Sequence, residues 1–410
     1  MSPIKLTAFG SALEYYDFTI FALLAPFISQ HFFPNTAPHL SDIATFAIFA
    51  LGYFFRPFGG IVFGVIGDRC GRKTTFALSI LLMAVATFCM GLIPTYQQIG
   101  GIAPLLFVFL RIVQGISYGA ELPGALTFLV EHSSAKQRYF NTSIMVMCIT
   151  LGSTASSFFV FICNKMLTLA QMQIWGWRLP FFMGGLLAVV GFLIRRNTAE
   201  TPYFLDENSK PRFAIVDLLR HNWSTVIVGI GLVLLPACCI IFYLSLPTFL
   251  QRTFNYSSST IYSAMTVGTM WTAILLPLCG WIYTKVNKKI MLATITILYI
   301  LLSYPLFYIL TYKTEFALYG FAVLYQTLLA LLAAGYFATL SACFHTRVRF
   351  TGTALCYNLA SVVASMMPML ALTLWQKTAN PLSPAWLFIL FAVVMLFGVL
   401  FSKDNLTASK

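Results

Sequence analysis

Gly64-Val-Ile-Gly67-Asp68-Arg69-Cys70-Gly71-Arg72-Lys73 is a glycine-spaced basic turn wedged between two long apolar runs, and its reading decides the fold. Glycines on the approach let two helices pack closely. Asp68 with Arg69, Arg72 and Lys73 must stay among lipid headgroups, so the turn is a charged hinge at a membrane surface, on the side where basic loops concentrate. Such a hinge between two apolar spans is expected of a solute carrier.

The rest of the chain agrees. It is 59% hydrophobic and only 9% charged, with a mean hydropathy of +0.84, which leaves too little polar surface for a soluble domain. At roughly 20 apolar residues per crossing, its 410 residues leave room for about twelve transmembrane helices. The runs are too long for barrel strands. Spans are expected at roughly 4–30, 42–67, 74–94, 103–132, 140–163, 175–195, 223–250, 258–284, 289–311, 315–344, 352–375 and 384–402. The first is read as a retained span, because Glu14 and Asp17 interrupt it and no small-residue cleavage site follows.

A net charge of +13 could mark a nucleic-acid partner in a soluble protein, but here the basic residues sort onto alternate connections. That asymmetry predicts both termini on the cytoplasmic side and makes the lipid bilayer, not nucleic acid, the partner. The 9 cysteines never fall as Cys-x-x-Cys and are read as small buried hydrophobes. No metal-ligand spacing, nucleophile elbow, phosphate loop or cofactor fingerprint occurs, so neither an enzyme nor a bound metal or cofactor is expected. The longest polar segment predicts a linker over 196–222 between an amino-terminal bundle at 1–195 and a carboxy-terminal bundle at 223–410. The turn Gly280-Trp-Ile-Tyr-Thr-Lys285-Val-Asn-Lys288-Lys289 weakly echoes the first one, as expected of two pseudo-symmetric six-helix repeats with a site between them.

The first turn, together with Arg111-x-x-Gln114-Gly115-x-x-x-Gly119, resembles the major facilitator superfamily. Gly10-Ser-Ala-Leu-Glu14-Tyr-Tyr-Asp17-Phe, Phe55-Arg56-Pro57-Phe-Gly59-Gly60 and Trp175-Gly-Trp-Arg178-Leu-Pro180-Phe resemble its metabolite:proton symporter branch, with the proline/betaine and alpha-ketoglutarate carriers. The resemblance implies a multi-pass carrier of a bacterial inner membrane, taking up a small carboxylate or zwitterion with a proton; a monomer is the default expectation. Two departures stand out. The segment Leu340-Ser-Ala-Cys-Phe-His345-Thr-Arg347 lacks the Glu usual in that branch, and with only a short stretch after the last span a coiled-coil tail is not expected.

Ionisable groups at bilayer depth are functional candidates by default. Glu14 and Asp17 share one face of the first helix, Arg56 lies at similar depth in the second, and Arg111 and Glu121 lie in the fourth. If they share a cavity, three carboxylates face two guanidiniums and one acid lacks a partner. Held out of water, such a carboxyl takes up a proton. Asp17 is the first expectation for this role, with Glu14 and Glu121 after it, while Arg56 or Arg111 receives a substrate carboxylate as a fork. A fixed salt-bridge network holding the helices together is the alternative. Tyr15, Gln114, Trp271, Tyr357 and Asn358 complete the expected substrate contacts, the aromatics as a cage for a cationic group.

Gating is expected from Gly64, Asp68, Arg69, Gly71, Arg72 and Lys73, with Asp68 as a latch, and from a surface pair of Glu131 and Arg138. Two rival functions remain open from sequence: a non-transporting membrane sensor on a carrier fold, and a proton-antiporting exporter.

Overall fold

Lipid offers no partners to backbone amides, so each apolar run closes its hydrogen bonds within itself as a helix. A computed structural model of the chain describes residues 3–34, 38–60, 62–63, 72–119, 126, 129–130, 133–134, 136–196, 218, 220, 222–345 and 348–402; among these, all regular structure is helical. The helices are α1 Pro3–Leu23, α2 Ala25–Phe32, α3 Pro38–Phe54, α4 Arg72–Leu92, α5 Ile102–Tyr118, α6 Arg138–Met166 and α7 Leu179–Arg196. After them come α8 Trp223–Phe254, α9 Ser258–Lys285, α10 Lys288–Ile309, α11 Glu315–Ala342, α12 Arg349–Ser365, α13 Met367–Thr378 and α14 Pro384–Phe401. With α1 and α2 as one pass and α12 and α13 as another, these make the twelve passes of an all-α membrane protein.

Two spans expected to be continuous are broken, and proline is the reason. Pro26 opens α2 behind Leu24, which leaves the helical region at φ −92° and ψ 5°. Pro368 likewise lies in the first turn of α13, behind Met366, which itself stays in the helical region at φ −80° and ψ −10°. A proline ring displaces the preceding turn and offers no amide hydrogen, so the helix restarts there. The fourth span was expected to reach residue 132; α5 runs to Tyr118, and the residues described beyond Gly119 within that span, 126 and 129–130, are again helical. Elsewhere side-chain caps set the starts: Ser257 accepts from the Thr260 amide, Asn287 from Lys289 and Ile290, and Thr314 from Ala317.

The outer surface is legible on α9. Val267, Met270, Trp271, Ile274, Leu278 and Trp281 recur at helical spacing and are all exposed, forming a stripe turned to lipid. Inward faces meet along two seams. On one, α6 packs along α9 and touches α11; on the other, α3 packs on α12 and α13, while α1 and α2 touch α8. Across the first seam the rings of Tyr139 and Tyr283 stack 5.6 Å apart, and the Tyr139 hydroxyl lies 3.3 Å from that of Thr339.

Most of the linker expected over 196–222 (197–217, 219 and 221) and the turn from Gly64 to Gly71 lie outside the described residues, as do Glu121 and Glu131. Of Glu14, Arg72 and Lys73 only the helical backbone is described.

Candidate functional site

The site begins with a backbone contact. A Cβ added at Gly115 would collide with the carbonyl of Gly52, and one at Gly119 with the carbonyl of Arg56. Only hydrogen at these positions lets α3 and α5 approach so closely, and that approach brings Arg56 and Arg111 into one aromatic layer. Phe18 of α1 lies between them. The Arg56 guanidinium carbon is 4.2 Å from the Phe18 ring centroid and that of Arg111 is 4.4 Å from it. Tyr53 and Tyr118 also face Arg56, at 3.8 and 4.3 Å, and Phe21 and Phe49 face Arg111, at 4.7 and 4.8 Å. Both guanidiniums are cut off from solvent, with 2% and 0% exposure, so ring faces replace part of their lost hydration. Arg56 Nε and Arg111 Nε and Nη2 make no hydrogen bond.

Around Arg56 the two halves of the chain meet. Tyr53 and Tyr118 face it from the amino-terminal helices and Tyr357 stands beside it from α12, with Tyr15 within electrostatic range. The Tyr53 and Tyr357 hydroxyls stand close to the Arg56 guanidinium, and Ser361 neighbours Tyr357. Tyr336 of α11 neighbours both Tyr15 and Tyr357. The Asn358 amide donates to the Gly119 carbonyl at 3.2 Å, docking α12 on the end of α5. The result is one buried cation ringed by phenols, with walls drawn from both halves. Such a centre can take a carboxylate on the guanidinium and a cationic group on the ring faces.

Asp17 lies elsewhere. It is 1% exposed, and its carboxyl rests against Gly184 of α7 and the Thr87 side chain of α4. Neither carboxyl oxygen has a hydrogen-bond partner. The expected common cavity for the charged groups therefore divides in two: Arg56 at the seam, Asp17 inside the amino-terminal helices, and Arg111 joined to the first by Phe18. Nor is Asp17 held in a salt-bridge network, since no guanidinium reaches it.

Of the other expected contacts, Tyr15, Tyr357 and Asn358 come together at the seam. Trp271 does not: it is 39% exposed on the lipid stripe, and its indole donates to Thr327 at 2.9 Å. Gln114 accepts from Arg111 and donates to Thr87 Oγ1, facing into the amino-terminal helices and away from the seam. Arg138 opens α6. Sequence reasoning named Tyr336 among the aromatics that could close a cage and passed over Tyr53, Tyr118 and Thr87. Tyr53 was recoverable, because it lies three residues before Arg56 on the same helical face. The others have no local signal.

A second missed feature joins α3 to α8. Arg252 Nε donates to Asp42 Oδ2 at 2.7 Å, and Nη2 to Oδ1 at 3.4 Å. Asp42 is 1% exposed and Arg252 33%, so the carboxylate depends on its partner more than the guanidinium does. At the same end the Tyr262 hydroxyl donates to the Leu23 carbonyl. Arg252→Gln is expected to strand the Asp42 carboxylate and favour opening at this end by about 1–3 kcal/mol. A cysteine placed at buried Ala25, in a background without other reactive thiols, should then be labelled several-fold faster by a membrane-impermeant reagent. An unchanged labelling rate would mean that the pair does not hold this end shut.

Residues 7–367 match the family described as the Major Facilitator Superfamily. The chain is 29% identical over 99% of its length to the glycine betaine/proline/ectoine/pipecolic acid transporter OusA of Dickeya dadantii, spanning 83% of that protein. It is 28% identical over 98% of its length to the proline/betaine transporter of Escherichia coli K12, of which it spans 83%, and 30% identical over 95% of its length to a putative proline/betaine transporter of Staphylococcus haemolyticus, of which it spans 84%. The crystal structure of a D-xylose-proton symporter superposes with a TM-score of 0.78 at 15% identity, covering 98% of this chain and 97% of that one, a likeness of fold.

Proposed function

We propose that this chain, which belongs to the Major Facilitator Superfamily and is a membrane transporter of small molecules, imports a small zwitterion or carboxylate together with a proton. Residues 1–195 and 223–410 would rock about the seam as two halves joined by a cytoplasmic linker. The observation that carries the reading is the buried Arg56 ringed by tyrosines from both halves, which neither half can form alone. A substrate carboxylate displaces the Tyr357 hydroxyl from the guanidinium, and an ammonium group packs on the phenol faces. A quaternary ammonium has no N–H to donate, so rings suit it better than acceptors do. Relatives named for proline and glycine betaine, both zwitterions, support this division of labour.

Asp17 carries the proton. It has no partner to release when it loads, and Gly184 and Thr87 are its close neighbours. Glu14 and Glu121 are the alternative carriers. The turn from Gly64 to Lys73, with Glu131 and Arg138, serves as the surface latch. In proteoliposomes, glycine betaine or proline should accumulate only when the outside is more acidic than the lumen. Flux indifferent to the pH gradient would overturn proton coupling, and failure of either zwitterion to enter or to stabilise the purified protein against heat would overturn the substrate class.

A further inference from the structure

We propose that Gln114 is a positioning residue: its amide holds the Arg111 guanidinium off the Asp17 carboxyl, leaving that carboxyl free for the driving proton. The inference rests on Asp17 carrying the proton, as proposed above. One amide touches Arg111 on one side and Thr87 and the Asp17 backbone on the other, and the Asp17 carboxyl borders Gly184 together with that Thr87. Arg111 has Nε and Nη2 uncommitted, and Asp17 has both oxygens uncommitted. Opposite charges in a medium of low polarity attract strongly, so their failure to pair needs a cause.

The amide supplies it. Gln114, 1% exposed, accepts from Arg111 through Oε1, and its Nε2 donates to Thr87 Oγ1 at 3.0 Å and to the Asp17 backbone carbonyl at 3.4 Å. Thr87 in turn donates to the Met83 carbonyl at 2.9 Å, which fixes its lone pairs toward the amide. The Thr87 methyl and Asp17 Oδ1 both border Gly184, so carboxyl, hydroxyl and amide share one small space. One side chain thus ties α5 to α4 and α1 and keeps the guanidinium turned to Phe18, Phe21 and Phe49. At Gly52 the absence of a side chain leaves room for this pose, since an added Cβ would lie 2.8 Å from Arg111 Nε.

The test is the pH at which gradient-driven uptake of glycine betaine or proline is half-maximal, in proteoliposomes, beside proton-independent exchange. A carboxylate next to a guanidinium gives up its proton more readily, so Gln114→Ala should move the midpoint to lower pH by about one to three units. Gln114→Glu brings its own carboxylate to Arg111 and should move the midpoint less. Thr87→Val removes the anchor of the amide and should shift the midpoint the same way by a smaller amount; it decides the matter if Gln114→Ala does not fold. An alanine variant with less uptake at every pH but the wild-type midpoint would overturn the proposal, as would equal shifts in the Ala and Glu variants. Asp17→Asn separates the two readings. If it still drives uptake, the proton assignment falls; if it does not, and Gln114→Ala keeps the wild-type midpoint, only the positioning role falls.

Discussion

Arg56→Gln is expected to weaken substrate binding by about 2–5 kcal/mol, on the order of thirty- to several-thousand-fold in Kd. The guanidinium is 2% exposed, so no water can replace it as a partner for a substrate carboxylate. Arg56→Lys keeps the charge but loses the planar fork and the stacking on Phe18, Tyr53 and Tyr118, so it should recover little. Binding measured by calorimetry or by ligand-induced thermal stabilisation checks this directly, without reference to proton movement. Affinity within a few-fold of the wild type in the Gln variant would remove Arg56 from the site. Tyr357→Phe makes a milder companion, because it removes the hydroxyl beside the guanidinium and keeps the ring.

Asp17→Asn should abolish accumulation against a gradient while leaving exchange of substrate across the membrane. Asparagine has nearly the shape of the acid and fits beside Gly184, but it cannot load or release a proton. The loss should be complete: with nothing to couple, internal substrate stops at the external concentration whatever the pH difference. Counterflow of labelled substrate, which needs only binding and rocking, should persist. Driven, uphill uptake by the asparagine variant would exclude Asp17 as the carrier. Loss of counterflow as well would give Asp17 a role in binding or in the rocking itself.

Membrane class and helix count were legible in the sequence, and Asp17, Arg56 and Arg111 stood out as candidates because insertion physics makes charge at depth rare. Periodicity and loop charge gave the spans. What could not be read is which way each charge faces. Glu14 and Asp17 share a helical face in projection, yet the Asp17 carboxyl turns to α4 and α7 while Tyr15, two residues before it, turns to the seam. Partners remote in sequence are equally silent: nothing local ties Asp42 to Arg252, or Arg56 to Tyr357. Trp271 shows the opposite error. An aromatic inside a span suits a cage by type alone, and only the exposed stripe it belongs to sends it to the lipid side. The proline breaks at Pro26 and Pro368 were visible as residues, but hydropathy averages across them.

The interlocked glycines of α3 and α5 have a mechanical consequence. Where Gly115 abuts the Gly52 carbonyl and Gly119 that of Arg56, neither helix can slip past the other without main chain striking main chain. The pair is a single stiff plank, and Arg56 and Arg111 ride on it at fixed separation. Any change of shape during a transport cycle is therefore expected away from the plank, at contacts between the halves such as the Tyr139 and Tyr283 rings and the Asn358 amide, which can part and re-form. A disulfide engineered across the plank should leave turnover intact, whereas one across either of those contacts should stop it.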